Sequence, residues 1–279
     1  MKSPWHRQQG KPAWMMGVLN CTPDSFSDGS PSFNAEKSIN QAKRLLAQGA
    51  SIIDVGGEST RPGAEPVSLE EELARVIPVI TAIKGLCPIS IDTTKAEVMS
   101  QAIKAGATMI NDVSALLHDE KSVVVAADSG VDVCLMHMKG SPKDMQDKPA
   151  YDNVVDEVGS FFEQRIQVCL DAGIQMSSIL LDPGIGFGKR LEDNLALIAN
   201  LGVLRSRFNL PILLGASRKS FLGAMTGADV DDREIETAVI SGIGIYAGAD
   251  MIRIHDCLAQ IKAAIIGGYC ADARQDMIW

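Results

Sequence analysis

The sequence has no excess of positive charge, no closely spaced cysteine pair and no long apolar run. Its 279 residues include 26 Lys and Arg against 35 Asp and Glu, which gives a formal net charge of −9. Binding a polyanion needs a basic field, so this charge argues against a nucleic-acid or anionic-membrane surface. The six cysteines form no CxxC pair and no Cys/His metal spacing, which predicts reduced thiols in a cytoplasmic protein. No apolar run approaches the ~20 residues that cross a bilayer as a helix.

The sequence instead contains eight short apolar runs, each followed by a helix-like segment. Helix signals between the runs include Ser68 and Glu71, spaced as a capping box, and Gly49 shortly before a run. Eight βα units favour an α/β fold of one domain, a (β/α)8 TIM barrel over residues 14–279, preceded by a loose polar arm over residues 1–13. The predicted strands are Trp14 to Asn20, Ser51 to Gly57, Pro88 to Thr93, Met109 to Ser114, Asp132 to Met138, Ser178 to Gly184, Pro211 to Ser217 and Met251 to Asp256.

An open, doubly wound sheet would also alternate strands and helices. That fold carries a GxGxxG turn after its first strand, and this sequence has none there. The missing turn favours the barrel, in which catalytic groups gather at the C-terminal ends of the strands. Polar residues lie at those ends in every predicted strand: Asn20, Asp54, Asp92, Asn111, His137, Asp182, Ser217, Arg253 and His255.

Asp92, Asn111 and Asp182 predict a site for a flat heterocycle. Each follows an apolar run, and a buried carboxylate is costly unless something pairs with it. A carboxylate at a sharp turn can accept two parallel N–H bonds from an amidine-like edge, such as the amino-pyrimidinone of a pterin or guanine. Met136 is a candidate for the floor of the ring pocket. The structural alternative for Asp182 is that it caps its own Asp-Pro-Gly turn.

Arg253 and His255 predict an anion site. Residues two apart share one face of a strand, so both cations point the same way at the barrel mouth. Asn20 and Mg²⁺ are further candidates for holding a diphosphate there. Lys219 follows the seventh strand, which is a frequent phosphate position, and it is equally a candidate for a ring carbonyl. An exposed basic turn is the structural alternative for Lys219.

Two Gly- and Pro-rich loops carry the remaining candidates. We interpret Arg61 as a cation that a lid brings to an anionic substrate, and Phe26 as cover for a flat second substrate. For both loops a solvated turn is the alternative. His137 is interpreted as a satisfied strand-end histidine rather than a metal ligand.

Together these motifs resemble the dihydropteroate synthase family of pterin-binding barrels. Similar segments occur in that family's order from about Met16 to Asp256, which is nearly the whole chain. The segments are NCTPDSFSDG from Asn20, GGESTRPGA from Gly56, Ile91 to Thr93, Ile110 to Asp112, Leu135 to Met138, LLDPGIGFGK from Leu180, SRKS from Ser217 and IRIHD from Ile252.

The resemblance implies a transferase of folate biosynthesis that is also a sulfonamide target. Such an enzyme joins 6-hydroxymethyl-7,8-dihydropterin diphosphate to 4-aminobenzoate and releases diphosphate and 7,8-dihydropteroate. A Mg²⁺ cofactor and a homodimer follow from the same likeness. By resemblance, the pterin-binding residues are Asp92, Asn111, Met136, Asp182, Phe187, Lys219 and Arg253. The diphosphate-binding residues are Asn20, Arg253 and His255, with Asn20 also on the metal. The aminobenzoate site is shaped by Phe26, Thr60, Arg61, Pro62 and Ser220, and the catalytic residues are Asp92, Lys219, Arg253 and His255.

Three alternatives would use the same residues. A corrinoid-linked methyltransferase of the wider pterin-binding group would share the barrel and its carboxylates, but it is not expected to carry the STRPG loop and the SRKS turn together. A non-catalytic pterin-binding protein would keep the carboxylates, but the presence of Arg253, His255 and Asn20 argues against it. A Schiff-base aldolase would use Lys219 as its nucleophile.

Overall fold

Eight parallel strands form the centre of the structure. It is a computed structural model that describes residues 3–22, 34–59, 65–140, 145 and 147–275. The strands are β1 (Trp14–Asn20), β2 (Ile52–Gly56), β3 (Ile89–Asp92), β4 (Met109–Asp112), β5 (Asp132–Met136), β6 (Ile179–Asp182), β7 (Leu213–Leu214) and β8 (Met251–Ile254).

The strands close into a barrel. They pair in the order β6-β5-β4-β3-β2-β1-β8-β7. A parallel bridge between Leu181 and Ile212 then joins β6 to the residue just before β7, and Leu181 donates its backbone N–H to Pro211 at 3.0 Å. The two edges of the sheet therefore meet, so the predicted TIM barrel is confirmed and the open doubly wound sheet is excluded.

Helices alternate with the strands, and local chemistry explains where some of them begin. The Asn34 side chain accepts a hydrogen bond from the backbone of Lys37 at 3.2 Å, and Ser68 Oγ accepts one from the backbone of Glu71 at 3.2 Å. In the described part of the chain, no helix is both long enough and apolar enough to cross a membrane. The α-helices are α1 (Ala35–Ala47), α2 (Leu69–Ile83), α3 (Ala96–Ala105), α4 (Ser122–Ser129), α5 (Val154–Asp171), α6 (Leu191–Ala199), α7 (Leu201–Phe208), α8 (Ser220–Thr226), α9 (Glu234–Ala247) and α10 (Cys257–Gln275).

Each strand presents alternate residues to two different cores, because successive side chains point to opposite faces. Outward residues such as Ile110 and Ile252 pack in the core beneath the helices. Inward residues near the strand starts form a second apolar cluster inside the barrel: Met16, Ile52, Met109, Cys134, Leu180, Leu213 and Met251. Two positions further along the same faces the residues become polar, as in Asn111 after Met109 and Arg253 after Met251. Apolar packing therefore fills the N-terminal half of the barrel and leaves its C-terminal mouth to polar side chains.

The N-terminal arm is packed against the barrel, which corrects the expectation that it is loose. Trp5 is 7% exposed and joins the inner cluster. Its ring lies edge-on to Trp14 with centroids 5.3 Å apart, and its indole N–H donates to Asp132 Oδ2 at 2.8 Å. Asp250, just before β8, accepts the backbone N–H of Arg7 at 2.8 Å. The arm thus covers the end of the barrel opposite the polar mouth.

The packing of the arm makes Trp5 a testable part of the core. Trp5→Ala should lower the free energy of unfolding by about 3–5 kcal/mol, because it empties an apolar site and removes the indole donor from Asp132. Urea unfolding of the purified variant measures this change. Val124→Ala, at a side chain that is 57% exposed, should change stability by less than about 0.5 kcal/mol and serves as control. If Trp5→Ala is equally silent, the arm is not part of the core.

Candidate active site

Four of the predicted strand-end residues gather in the barrel mouth. Asp92, Asn111 and Asp182 are 8%, 4% and 5% exposed, and the Arg253 side chain is 23% exposed. Each residue lies on the inward face of its strand because the residue two positions earlier points into the barrel. Alternation therefore puts two acids, an amide and a guanidinium on the inward faces of their strands, and closure of the barrel brings them together.

Arg253 is the centre of this group. Its Nε donates to Asp54 Oδ2 at 2.6 Å and its Nη2 donates to Asp92 Oδ2 at 2.6 Å. Asn111 Nδ2 donates to the same oxygen of Asp54 at 3.1 Å. Asp54 is fully buried, and its Oδ1 has no hydrogen-bond partner among the residues that the structure describes. The sequence marks Asp54 only as a polar residue in a strand, whereas the structure makes it a main partner of Arg253.

Burial controls protonation in the mouth. Desolvation raises the pKa of Asp92 to about 7, against the lowering effect of Arg253. Desolvation also raises the pKa of Asp182. Burial alone would lower the pKa of Arg253, but Asp54 and Asp92 outweigh it and the pKa is raised. At neutral pH the mouth therefore holds a permanent cation beside a carboxyl group that is close to its titration midpoint.

The geometry of Asp182 is compatible both with capping its own turn and with accepting hydrogen bonds from a ligand. Its Oδ1 accepts the backbone N–H of Gly184 at 2.7 Å, so the carboxylate does cap its own turn. Its Oδ2 lies toward Gly215 after β7, where an added Cβ would be 3.5 Å away. A carboxylate has about four acceptor positions, so capping with one oxygen leaves the other side of the group able to accept from a ligand.

Lys219 and Phe187 lie against each other beside Asp182. The Lys219 Nζ lies 3.9 Å from the centroid of the Phe187 ring, which is a cation–π distance. Both side chains are partly exposed. The position of Lys219 over an aromatic ring and its partial burial argue against the alternative of an exposed basic turn.

His255 and Asn20 lie at the ends of the neighbouring strands β8 and β1. The His255 Nδ1 lies 3.0 Å from Ser217 Oγ, and its backbone N–H donates to the same oxygen at 3.3 Å. Asn20 is partly exposed and offers an amide oxygen. Within the described ranges, no group of three His, Cys, Asp or Glu side chains is arranged to hold a metal ion.

Of the remaining predicted site residues, the structure describes Ser220 and Met136 but not the candidates in the two loops. Ser220 is exposed at the first position of α8, directly after Lys219. Met136 ends β5 and is 4% exposed, two residues beyond Cys134 of the inner cluster, so it points toward the mouth. The aminobenzoate candidates Phe26, Thr60, Arg61 and Pro62 lie outside the described residues.

One buried cation was missed by sequence reasoning. Lys189 is 4% exposed, and its Nζ lies 2.9 Å from Nδ1 of His137. His137 is thus satisfied within the fold, in agreement with its interpretation as a strand-end residue. The signal that was available for Lys189 is its position directly after a loop with glycine at residues 184, 186 and 188.

Comparisons with known proteins agree on one family. The model of the family described as pterin binding enzyme matches residues 16–255. Dihydropteroate synthase of Escherichia coli strain K12 is 46% identical over 251 residues, which cover 89% of this chain and 88% of the relative. The structure of Yersinia pestis dihydropteroate synthase in a sulfonamide drug complex has a TM-score of 0.88 and 41% identity, covering 97% of this chain and 99% of that chain. The structure of Xanthomonas albilineans dihydropteroate synthase in complex with 7,8-dihydropteroate has a TM-score of 0.82 and 40% identity, covering 91% of this chain and 92% of that chain. The chain belongs to the dihydropteroate synthase family of pterin-binding enzymes.

Proposed function

We propose that this protein condenses 6-hydroxymethyl-7,8-dihydropterin diphosphate with 4-aminobenzoate, giving 7,8-dihydropteroate and diphosphate in folate biosynthesis. The observation that carries the proposal is the buried group of Asp54, Asp92, Asn111 and Arg253 in the barrel mouth, with Asp182 beside it. A relative of known structure binds 7,8-dihydropteroate, which is the product of this reaction. The protein is therefore a transferase whose flat substrate is held by acceptors and whose anionic leaving group is held by cations.

We infer that Arg253 changes partners when the pterin diphosphate binds in this mouth. In the structure Asp92 Oδ2 accepts a hydrogen bond from Arg253 Nη2. The amino-pyrimidinone edge of a pterin presents N–H donors, for which Asp92 and Asp182 are the acceptors, and Asn111 matches an edge with both donor and acceptor groups. When the pterin takes over Asp92, Arg253 retains Asp54 and turns its free N–H groups toward the diphosphate.

The faces and the carbonyl of the pterin are matched by further residues. Phe187 and Met136 supply flat or soft apolar surfaces for the ring. Lys219 already lies over the Phe187 ring. From this position its ammonium can donate a hydrogen bond to the carbonyl group of the pterin. Arg253 also has a planar face that stacks on a heterocycle.

Departure of diphosphate is the step that the cations assist. The bond between the methylene carbon and the diphosphate oxygen breaks, the electron pair leaves with diphosphate, and the electron-rich dihydropterin delocalises the positive charge left on the methylene carbon. Arg253 and His255 neutralise the charge that develops on the leaving group, and Asn20 donates from its amide. A Mg²⁺ ion bound with the diphosphate would supply further neutralisation, and the Asn20 oxygen is the kind of ligand that it accepts.

The aromatic amine of aminobenzoate then attacks the methylene cation and forms the new C–N bond. The acidic arylammonium that results loses one proton to water or to the released diphosphate, so no strong protein base is needed and positioning is the main contribution of the protein. Ser220, next to Lys219, is the described candidate for this second site, and Phe26, Thr60, Arg61 and Pro62 are the candidates from the loops. We infer that the pterin binds first, because the amine attacks a cation that exists only after diphosphate has left the bound pterin. Tight binding of aminobenzoate without diphosphate would contradict this order.

The sulfonamide complex of the Yersinia pestis enzyme supports sulfonamide inhibition of this protein as well.

The decisive assay follows diphosphate release by the purified protein with the pterin diphosphate and Mg²⁺, with and without 4-aminobenzoate. We expect release together with an equal amount of 7,8-dihydropteroate. Tight pterin binding without release would support a non-catalytic pterin-binding protein. Methyl transfer to a corrinoid would support the methyltransferase, and borohydride trapping of a carbonyl substrate on Lys219 would support the aldolase.

The proposed assembly is a homodimer in the cytoplasm. Of the apolar residues near the C-terminus, Ile240 and Ile245 pack in the core, whereas Val239, Ile243 and Ile266 are 57%, 48% and 62% exposed. The exposed residues lie on α9 and α10, which pack together, and an apolar surface of this kind is typical of an interface. Sedimentation equilibrium tests the dimer, and a monomer at micromolar concentration would contradict it.

Free thiols at all six cysteines support the proposed location in a reducing compartment, the cytoplasm.

Replacement of Asp182 tests the acceptor role. Asp182→Ala should weaken binding of 6-hydroxymethyl-7,8-dihydropterin by about 1.5–3 kcal/mol, because pterin donors lose their charged acceptor. Isothermal titration measures the affinity. Asp128→Ala removes the same charge from an exposed position on α4 and should leave the affinity unchanged. An unchanged affinity in Asp182→Ala would remove this carboxylate from the site.

The pKa of Asp92 predicts a pH dependence. Asp92 accepts pterin donors when it is ionised, and burial raises its pKa to about 7. Affinity for the dihydropterin should therefore be full at about pH 8 and fall by up to roughly tenfold per unit below pH ~7, as the carboxyl is protonated. Titrations at a series of pH values test this, and Asp92→Asn should bind weakly with a flatter profile. An affinity of the native protein that does not change with pH would contradict the assignment.

A further inference from the structure

Lys189 is a buried cation whose described contacts include no carboxylate. Its Nζ donates to the backbone oxygens of Gly184 at 2.9 Å, Phe187 at 3.0 Å and His137 at 3.3 Å. It also lies 2.9 Å from Nδ1 of His137. Burial lowers the pKa of Lys189 to about 7, and lysine is almost never fully buried unless it is paired. The burial of this charge is costly, so the groups around Lys189 have to compensate for it.

The carbonyl oxygens around Lys189 converge because two loops approach each other at backbone distance. The loop of residues 183–188 follows β6 and lies against residues 137–139 after β5. A Cβ added to Gly184 would lie 1.9 Å from the oxygen of His137, and one added to Gly188 would lie 2.2 Å from the oxygen of Lys139. Both glycines have positive φ, +68° and +64°. Carbonyl groups that point at one spot repel each other, and an ammonium with three donors is the group that satisfies them together.

His137 completes the clamp from the β5 side. An ammonium can only donate, so the Nδ1 that faces it must carry no proton. Burial and the neighbouring Lys189 lower the pKa of His137 to about 3, which keeps the ring neutral with its proton on Nε2. Lys189 thus has four acceptors for three N–H groups, contributed by both loops, and His137 supplies two of the four.

The clamped loop carries two of the proposed pterin contacts. Gly184, whose oxygen accepts from Lys189, donates its own N–H to Asp182 Oδ1 at 2.7 Å. Phe187, whose oxygen also accepts from Lys189, places its ring 3.9 Å from the Lys219 Nζ. The position of Lys189 therefore sets the direction of the Asp182 carboxylate and the place of the Phe187 ring.

We propose that Lys189 is a positioning residue for the pterin: its ammonium binds the loops after β5 and β6 together and so orients Asp182 and Phe187 toward the ring. This inference rests on the proposed function, because it assumes that the pterin binds in this mouth. Lys189 does not touch the diphosphate candidates Arg253 and His255, which are at the end of β8. Its loss should consequently affect recognition of the ring and leave recognition of the anion intact.

The test compares Lys189→Met with native protein in two titrations, one with 6-hydroxymethyl-7,8-dihydropterin and one with inorganic diphosphate. Unsatisfied buried carbonyls will move the loop, so pterin affinity should fall roughly tenfold to hundredfold while diphosphate affinity stays the same. In steady-state assays the KM for the pterin substrate should rise more than kcat falls. Lys189→Gln retains two N–H donors and should recover part of the pterin affinity, and it replaces Lys189→Met if that variant does not fold.

Lys139→Met is the matched control. Its side chain is 44% exposed and contacts Glu157 at 3.4 Å, the Ala150 carbonyl and the Tyr151 ring. None of these groups is an acceptor of Lys189, so this variant removes one positive charge from the same pair of loops without removing the clamp. It should bind the pterin like the native protein. Equal losses of pterin and diphosphate affinity in Lys189→Met, or no loss of either in a folded variant, would overturn the positioning role. Failure of the native protein to bind the pterin at all would instead overturn the proposed function.

Discussion

The ion pairs of Arg253 with Asp54 and Asp92 are the interaction on which the rest of the site depends. Asp54, Asp92 and Asp182 are buried in one mouth, and buried carboxylates are costly unless a cation pairs with them. Arg253 holds two of them by hydrogen bonds of 2.6 Å. Buried ion pairs contribute little net stability, because desolvation opposes the Coulomb attraction. The arrangement is therefore better explained by the proposed binding of substrate. In that proposal the carboxylates accept hydrogen bonds from a heterocycle, and Arg253 binds its anionic leaving group.

This arrangement is possible because the inward residues of a strand are apolar near its start and polar near its end. Met251 fills the inner core while Arg253, two residues later on the same face, reaches the mouth. Met109 and Asn111 are divided in the same way. Trp5 covers the opposite end and completes the apolar half. Stability is thus concentrated at one end of the barrel and chemistry at the other, so that the polar residues of the mouth are supported by a rigid floor.

The sequence was sufficient for the barrel and for much of its mouth, because both follow from local periodicity. Asp92, Asn111, Asp182 and Arg253 follow apolar runs, and strand alternation alone assigns them to one face. The partners of Arg253 were not predictable in this way: Asp54 and Asp92 are 199 and 161 residues away in the chain, and only closure of the barrel brings them to it.

Two further features were missed because their causes are not local. The arm has a polar composition, yet Trp5 packs in the inner cluster and Arg7 binds Asp250 and Asp272. Lys189 looks like the exposed end of a glycine-rich loop, yet His137 from a different loop joins the oxygens of Gly184 and Phe187 around its ammonium. In both cases the decisive contact is with an element distant in sequence, which neither composition nor spacing reports.

The most direct test of this account is a crystal structure of the protein with 6-hydroxymethyl-7,8-dihydropterin and diphosphate bound. We expect the edge of the pterin to be hydrogen-bonded to Asp92, Asn111 and Asp182. The Arg253 guanidinium should have moved from Asp92 to the diphosphate while it stays in contact with Asp54. A pterin bound elsewhere, or a pterin in the mouth with both ion pairs of Arg253 unchanged, would contradict the exchange of partners on which the proposed mechanism rests.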